Sequence, residues 1–269
     1  LVIGLRNSAS AHCVERRPLS AVKFNPDPAL PITKVIPELL GAIERSSKLI
    51  LTAPPGAGKT TIVPLALLAA GKIKGRIIVL EPRRLAARAA AERMAQSLNE
   101  AAGDTVGYRM RGQQKTSTQT RIEVVTEGIL TRMLQSDPEL TGIGAVIFDE
   151  FHERSLNADL GLALCLEAAS AFREDLRILV MSATLDVAPL VTLMQHPPVI
   201  AAEGRSFPVA PIWLDRPLPK LIKFETAICD LVLQALPQTS GAVLVFLPGE
   251  REIHKTAALL KSNLPRSCT

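Results

Sequence analysis

The chain has 269 residues, 47% of them apolar but only 3% aromatic, which suffices for a real core built from aliphatic side chains. Its 31 basic and 26 acidic residues leave a net charge of +5, as compatible with a polyanionic partner as with ordinary surface solvation. Cys13, Cys165, Cys229 and Cys268 are scattered, and no apolar run reaches membrane-spanning length, so a disulfide framework, a zinc site and a membrane partner are not expected and a reducing cytoplasm is.

Residues 1–28 mix charge, Ser and Pro without a period and read as a loose extension, in which Arg6 and Asn7 break the apolar run a signal peptide needs. Pro31 and Ile32 lead into Thr33, read as the N-cap of a helix with Val35, Ile36, Leu39 and Leu40 on one face. Strands and helices then alternate: strand 48–52, helix 59–70, strand 76–80, helix 83–98, strand 121–125, helix 128–135, strand 145–148, helix 156–172 and strand 177–181. Such alternation predicts an α/β fold, a parallel sheet with helices on both faces and functional groups at the carboxyl ends of the strands. Gly204–Pro208 reads as a linker, followed by Val209–Leu214, a helix near 224–236, a strong strand Ala242–Leu247 and a helix from Glu250. The expected organisation is an extension (1–28), a first domain (29–203) and the opening of a second (204–269) with too few strands for its own sheet.

Residues 53–61, Ala-Pro-Pro-Gly-Ala-Gly-Lys-Thr-Thr, follow the first strand and open a helix, the context of a phosphate-binding loop. Backbone N–H groups of Pro55-flanking residues Gly56, Ala57, Gly58, Lys59, Thr60 and Thr61 would cradle phosphate oxygens, and Gly56 and Gly58 supply backbone angles or room. Lys59 would reach the β- and γ-phosphates and the Thr60 hydroxyl would hold Mg²⁺. Ala53 stands where the usual motif has Gly, and a glycine loop that merely caps a helix is the alternative for this motif alone. A second signal favours the phosphate loop: the apolar run Ala145–Phe148 ends in Asp149 and Glu150, one carboxylate for the metal shell and one to orient or deprotonate water. Thr60, Asp149 and Glu150 are therefore the candidate metal set.

Other strand ends carry further groups. Glu81-Pro-Arg-Arg places Arg83 and Arg84 at a helix start, where they could meet a phosphate chain or simply lie on the surface. Val124-Val-Thr-Glu-Gly places Thr126 and Gly128 where a backbone could approach closely, and Ser182 and Thr184 are two hydroxyls able to relay the state of a γ-phosphate.

Taken together, A-P-P-G-A-G-K-T, E-P-R-R-L-A-A, V-G-Y-R-M-R, V-T-E-G, D-E-F-H-E-R, M-S-A-T, G-R-S-F-P-V and L-V-F-L-P-G resemble the DEAH-box helicases of superfamily 2, in particular the bacterial HrpB-type RNA helicases, from about Val35 to Glu252. The resemblance implies a P-loop NTPase of RecA-like architecture with an incomplete second RecA-like domain. It implies catalytic roles for Lys59, Asp149 and Glu150, coupling roles for His152, Ser182 and Thr184, and nucleic-acid contacts for Arg83, Arg84, Arg111, Thr126 and Gly128. Arg93 matches a base-stacking arginine of the nucleotide site. Phe151 departs from the family's small Ala, and the family's arginine-finger motif has no counterpart before Thr269. The implied cofactors are ATP, or another NTP, and Mg²⁺; the implied partner is RNA, with DNA and oligomeric state left open. A P-loop ATPase acting on no nucleic acid, and a nucleotide- and RNA-binding fragment without turnover, are the alternative readings.

Overall fold

The computed structural model describes residues 22, 24–184, 186–204, 209–218, 221–239 and 241–264. Most of the expected extension and residues 205–208 of the expected linker lie outside them. The chain divides into two compact units, Leu1–Ser206 and Phe207–Thr269.

The first unit runs α1 (Ile36–Arg45), β1 (Lys48–Thr52), α2 (Lys59–Ala69), β2 (Arg76–Leu80), α3 (Arg84–Ser97), β3 (Val106–Met110), β4 (Gln113–Lys115), β5 (Ile122–Val125), α4 (Glu127–Ser136), β6 (Ile143–Phe148), α5 (Leu156–Ala171), β7 (Arg177–Ser182), α6 (Ala188–Leu193) and β8 (Val199–Ala201). The strands form one sheet in the order β4-β3-β5-β2-β6-β7-β1-β8, parallel throughout except for the antiparallel edge pair β3–β4. Leu, Ile and Val fill the central strands because both faces are covered, as a parallel sheet requires. Side chains alternate between two cores. Leu49, Leu51, Ile77, Val79, Val124 and Ile147 pack under α1, α2 and α3, while Ile50, Ile78, Leu80, Val146, Phe148 and Val180 pack under α4 and α5.

Thr33 does not cap α1. It lies in a short 3-10 turn, Pro31–Val35, and its hydroxyl donates to the Asp27 carbonyl at 2.7 Å. The helix starts instead at Ile36, with Pro37 in its first turn, where the missing N–H costs nothing. β3, β4, β8 and α6 add to the expected elements. A buried ion cluster staples three strands: Glu123 on β5 is fully buried, with Arg76 of β2 at 3.0 Å and Arg109 of β3 at 2.7 Å. The closer approach is poorly aligned for a hydrogen bond and acts as charge against charge.

The second unit contains α7 (Phe224–Ala235) packed on α8 (Glu250–Asn263), tied by Lys255 Nζ to Glu225 Oε1 at 2.9 Å. The expected strand Ala242–Leu247 is not formed. Among the described residues of this unit no other strand exists to pair with it, and a strand without a ladder leaves its N–H and C=O groups unmet. Leu244 and Phe246 are accordingly exposed.

Candidate active site

The motifs that follow β1, β2, β5, β6 and β7 sit at the carboxyl edge of the sheet. β7 lies between β1 and β6, so Ser182 stands between the loop after β1 and the carboxylates after β6. The loop is shaped by its glycines: Gly56 and Gly58 have φ of +74° and +93°, in the left-handed region, and Gly58 is the N-cap of α2. Behind it the Ile32 N–H donates to the Ala57 carbonyl at 3.2 Å, and Leu30 and Ile32 crowd the space where a Cβ on Gly58 would stand.

Lys59 is buried. Its Nζ donates to the Ala53 carbonyl at 2.9 Å and lies 3.8 Å from Glu150 Oε1. Ala53 thus serves through its backbone, its own N–H bonding to the Ser182 carbonyl at 3.0 Å. Asp149 is also buried: Oδ1 accepts from the Glu150 N–H at 2.8 Å, whereas Oδ2 is buried with no hydrogen-bond partner among the described residues. Burial raises its pKa to about 6, against the pull of the Thr60 hydroxyl and with the push of the neighbouring Glu150 charge. An orphaned buried carboxylate oxygen beside a threonine hydroxyl fits a hard divalent cation such as Mg²⁺.

Glu150 has φ of +47°, a conformation that costs a non-glycine residue about 1 kcal/mol or more. That kink begins the turn Phe151–Glu153, in which Phe151 faces inward. Phe151 is buried edge-on against Phe148, ring centres 6.0 Å apart, with the Arg154 guanidinium over its outer face at 5.9 Å. The bulky residue at this position anchors the turn in the core. His152 then faces β7, its Nδ1 accepting from the Ala183 N–H at 3.2 Å. Glu150 Oε2 approaches the same ring nitrogen at 3.3 Å. Ser182 Oγ lies 3.1 Å from Thr184 Oγ1 and accepts from the Thr184 N–H at 3.1 Å.

Lys59, Thr60, Asp149, Glu150 and His152 are therefore joined by direct contacts, while Ser182 is tied in through the backbone of Ala53, and Thr184 through Ser182. The arginines line the same sheet edge further along. Arg83 is the N-cap of α3 and Arg84 its first residue, and Arg84 Nη2 donates to the carbonyl of exposed Arg111 at 3.0 Å. Thr126 is the N-cap of α4 and makes no side-chain cap bond, and a Cβ on Gly128 would meet nothing within 4 Å. Arg93 is exposed in the second half of α3, and its guanidinium has no partner among the described residues. Two residues escaped the sequence reading. Glu81, just before Pro82, is buried, and burial together with the charges of Asp149, Glu150 and Glu153 raises its pKa to about 8. Glu153 pairs with Arg83 at 2.6 Å. Glu81 ends an apolar strand much as Asp149 does, a signal that could have been used; nothing local marks the partner of Glu153.

A glycine-shaped loop with a buried lysine, two strands away from a buried aspartate at a strand end, is the arrangement of a P-loop fold. A family model described as DEAD/DEAH box helicase matches residues 32–192, well over half the chain, and the chain belongs to that family. It is 53% identical over 236 residues to the ATP-dependent RNA helicase HrpB of Escherichia coli, covering 88% of this chain and 29% of that protein. With the ATP-dependent RNA helicase HrpA of the same organism it shares 36% identity over 87% of its length and 18% of the relative's. The crystal structure of the E. coli DEAH/RHA helicase HrpB superposes with a TM-score of 0.82 at 53% identity, over 88% of this chain and 30% of that one. The chain thus spans less than a third of the length of these relatives.

Proposed function

We propose that this chain is the nucleotide-hydrolysing part of an ATP-dependent RNA helicase, in which NTP turnover drives strand separation by the whole protein. The observation that carries the reading is the shared sheet edge: the nucleotide loop, the hydrolytic carboxylates and the arginine rim all follow parallel strands of one sheet. Lys59 and the loop N–H groups of Gly56, Ala57 and Gly58 bind the phosphates in the ground state. Glu150, tipped toward Lys59 by its backbone kink, orients the attacking water and acts in the transition state. Thr60 and Asp149, with Glu150 nearby, would hold Mg²⁺, which when bound neutralises charge on the phosphate oxygens. His152, Ser182 and Thr184 report the γ-phosphate to the rest of the molecule. Arg83, Arg84, Arg111, Thr126 and Gly128 meet the RNA backbone, a contact that is salt-sensitive and weakly dependent on sequence, and Arg93 stacks on the nucleotide base.

The two-lobed logic of such enzymes assigns 204–269 to the start of a second RecA-like domain. The reading is tested with Lys59→Ala and Glu150→Gln in the full-length protein. Lys59→Ala should lose nucleotide binding; Glu150→Gln should keep it and lose turnover, and single-stranded RNA should stimulate the wild-type ATPase. Normal turnover in Glu150→Gln would overturn its assignment, and an ATPase indifferent to RNA would favour an NTPase that acts on no nucleic acid.

A further inference from the structure

Arg83 and Glu153 lie 70 residues apart in sequence and meet at the strand ends in a two-pronged pair: Arg83 Nη2 donates to Oε1 at 2.6 Å and Nε to Oε2 at 3.3 Å. The neighbouring cations are held differently. Arg84 donates to a neutral carbonyl, that of Arg111, which leaves its charge uncompensated. Arg154 is paired with Asp159 at 2.8 Å. Of the three rim arginines assigned to RNA above, Arg83 is the one that a carboxylate neutralises among the described residues.

The chemistry of that pair is also the chemistry of phosphate binding. A phosphodiester presents two anionic oxygens to the same face of a guanidinium that a carboxylate uses. Arg83 is largely exposed, so a strand can reach it, but the fork is already filled. Glu153, for its part, is no isolated surface acid. It closes the three-residue turn that starts from Glu150, its N–H donating to the Glu150 carbonyl at 2.9 Å, and the same turn carries His152 against Ala183.

We propose that Glu153 is a latch on nucleic-acid binding: it occupies the Arg83 fork until a backbone phosphate displaces it. The proposal rests on the reading of Arg83 as an RNA contact. Glu153 is in these terms a positioning residue, and it makes RNA occupancy compete with an internal anion.

The test is a double-mutant cycle on this chain without nucleotide, using a fluorescently labelled single-stranded RNA and anisotropy over a range of salt. Glu153→Gln should bind about two- to five-fold more tightly than wild type, the range that an exposed ion pair can hold back. Its log–log salt dependence should differ from wild type by less than about 0.7, the value of one phosphate contact on a single strand, because Arg83 reaches the phosphate in both complexes. Glu153→Asp, which keeps the charge but withdraws it by one methylene, should also tighten binding. Arg83→Ala should weaken binding and abolish the effect of Glu153→Gln in the double variant. If Glu153→Gln weakens binding or leaves it unchanged while Arg83→Ala weakens it, Glu153 orients Arg83 and the latch is wrong. Tightening that persists without Arg83 is a field effect and sinks the latch equally. An Arg83→Ala variant that binds RNA as wild type does removes the underlying reading, and the latch with it.

Discussion

Replacing Asp149 by Asn should stabilise the metal-free protein while destroying its use of metal and nucleotide. Asp149 is buried with Oδ2 unpartnered, and burial lifts its pKa from 3.8 to about 6. The sign follows from linkage. Below the unfolded pKa both states carry the proton and nothing is lost; as pH rises toward about 6 the unfolded chain releases it first, and folding stability falls. Above the folded pKa the penalty is complete, at about 3 kcal/mol for a shift from 3.8 to about 6. Asn keeps the Oδ1 acceptor for the Glu150 N–H but adds an amide that must find its own partner, so a net gain of about 1–3 kcal/mol is expected. For a unit of this size that is a rise in Tm of roughly 2–12 °C. The assay is thermal unfolding in EDTA at about pH 8 and about pH 4, where the gain should be present and absent respectively. Adding Mg²⁺ and nucleotide should reverse the ranking, because ligand at about 1,000 times its Kd adds about 4.1 kcal/mol to wild type alone. An Asn variant less stable than wild type in EDTA at the higher pH, or one with the same gain at both, would refute the reasoning.

Glu81→Gln should likewise raise stability, more at about pH 8 than at about pH 5, because a carboxyl lifted from 4.5 to about 8 accumulates its penalty across that window; unfolding curves of the two proteins at both pH values check this. Base discrimination should be poor if Arg93 stacks on the nucleotide, since any base offers a π-face; competition binding with the four nucleotides should differ by less than about tenfold, or about 1.4 kcal/mol. Gly75→Ala should cost about 2–4 kcal/mol in denaturant unfolding, because φ is +103° and a Cβ would stand 2.7 Å from the Gly142 carbonyl oxygen, backbone that cannot step aside.

What could be read from residues alone was the frame of the first unit. Runs such as Arg76–Leu80 and Arg177–Ser182 are apolar on both faces, and each ends at a motif, so strand and chemistry announce each other. β3 carries Gly107 and Arg109 among its five residues, and the Arg109 charge is satisfied by Glu123 on the neighbouring strand, a pairing no local pattern encodes. β4 is Gln-Gln-Lys, the polar sequence of an edge, and β8 is three residues long. Ala242–Leu247 fails in the other direction: its unbroken apolar run is strand-like, but strand formation is a property of a pair. In the site, the loop and the Asp149–Glu150 pair were legible because chemistry fixes their spacing to a strand end. The Glu153–Arg83 pair, the burial of Glu81 and the inward packing of Phe151 depend on what the fold brings alongside, and were not.

The turn Pro31–Val35 sets a boundary on what counts as the working unit. Its Ile32 is fully buried, its N–H holds the Ala57 carbonyl, and Leu30 with Ile32 walls the rear of Gly58. A shortened chain starting at Lys48 would contain every recognisable motif and still lack the wall that keeps the phosphate loop in shape. The loop would then be free to sample other conformations, and each phosphate would have to order it before binding, a cost borne as lost affinity. Motif boundaries and functional boundaries differ here by the 21 residues 27–47, and a minimal nucleotide-binding piece of this protein should begin no later than Asp27, whose carbonyl anchors Thr33.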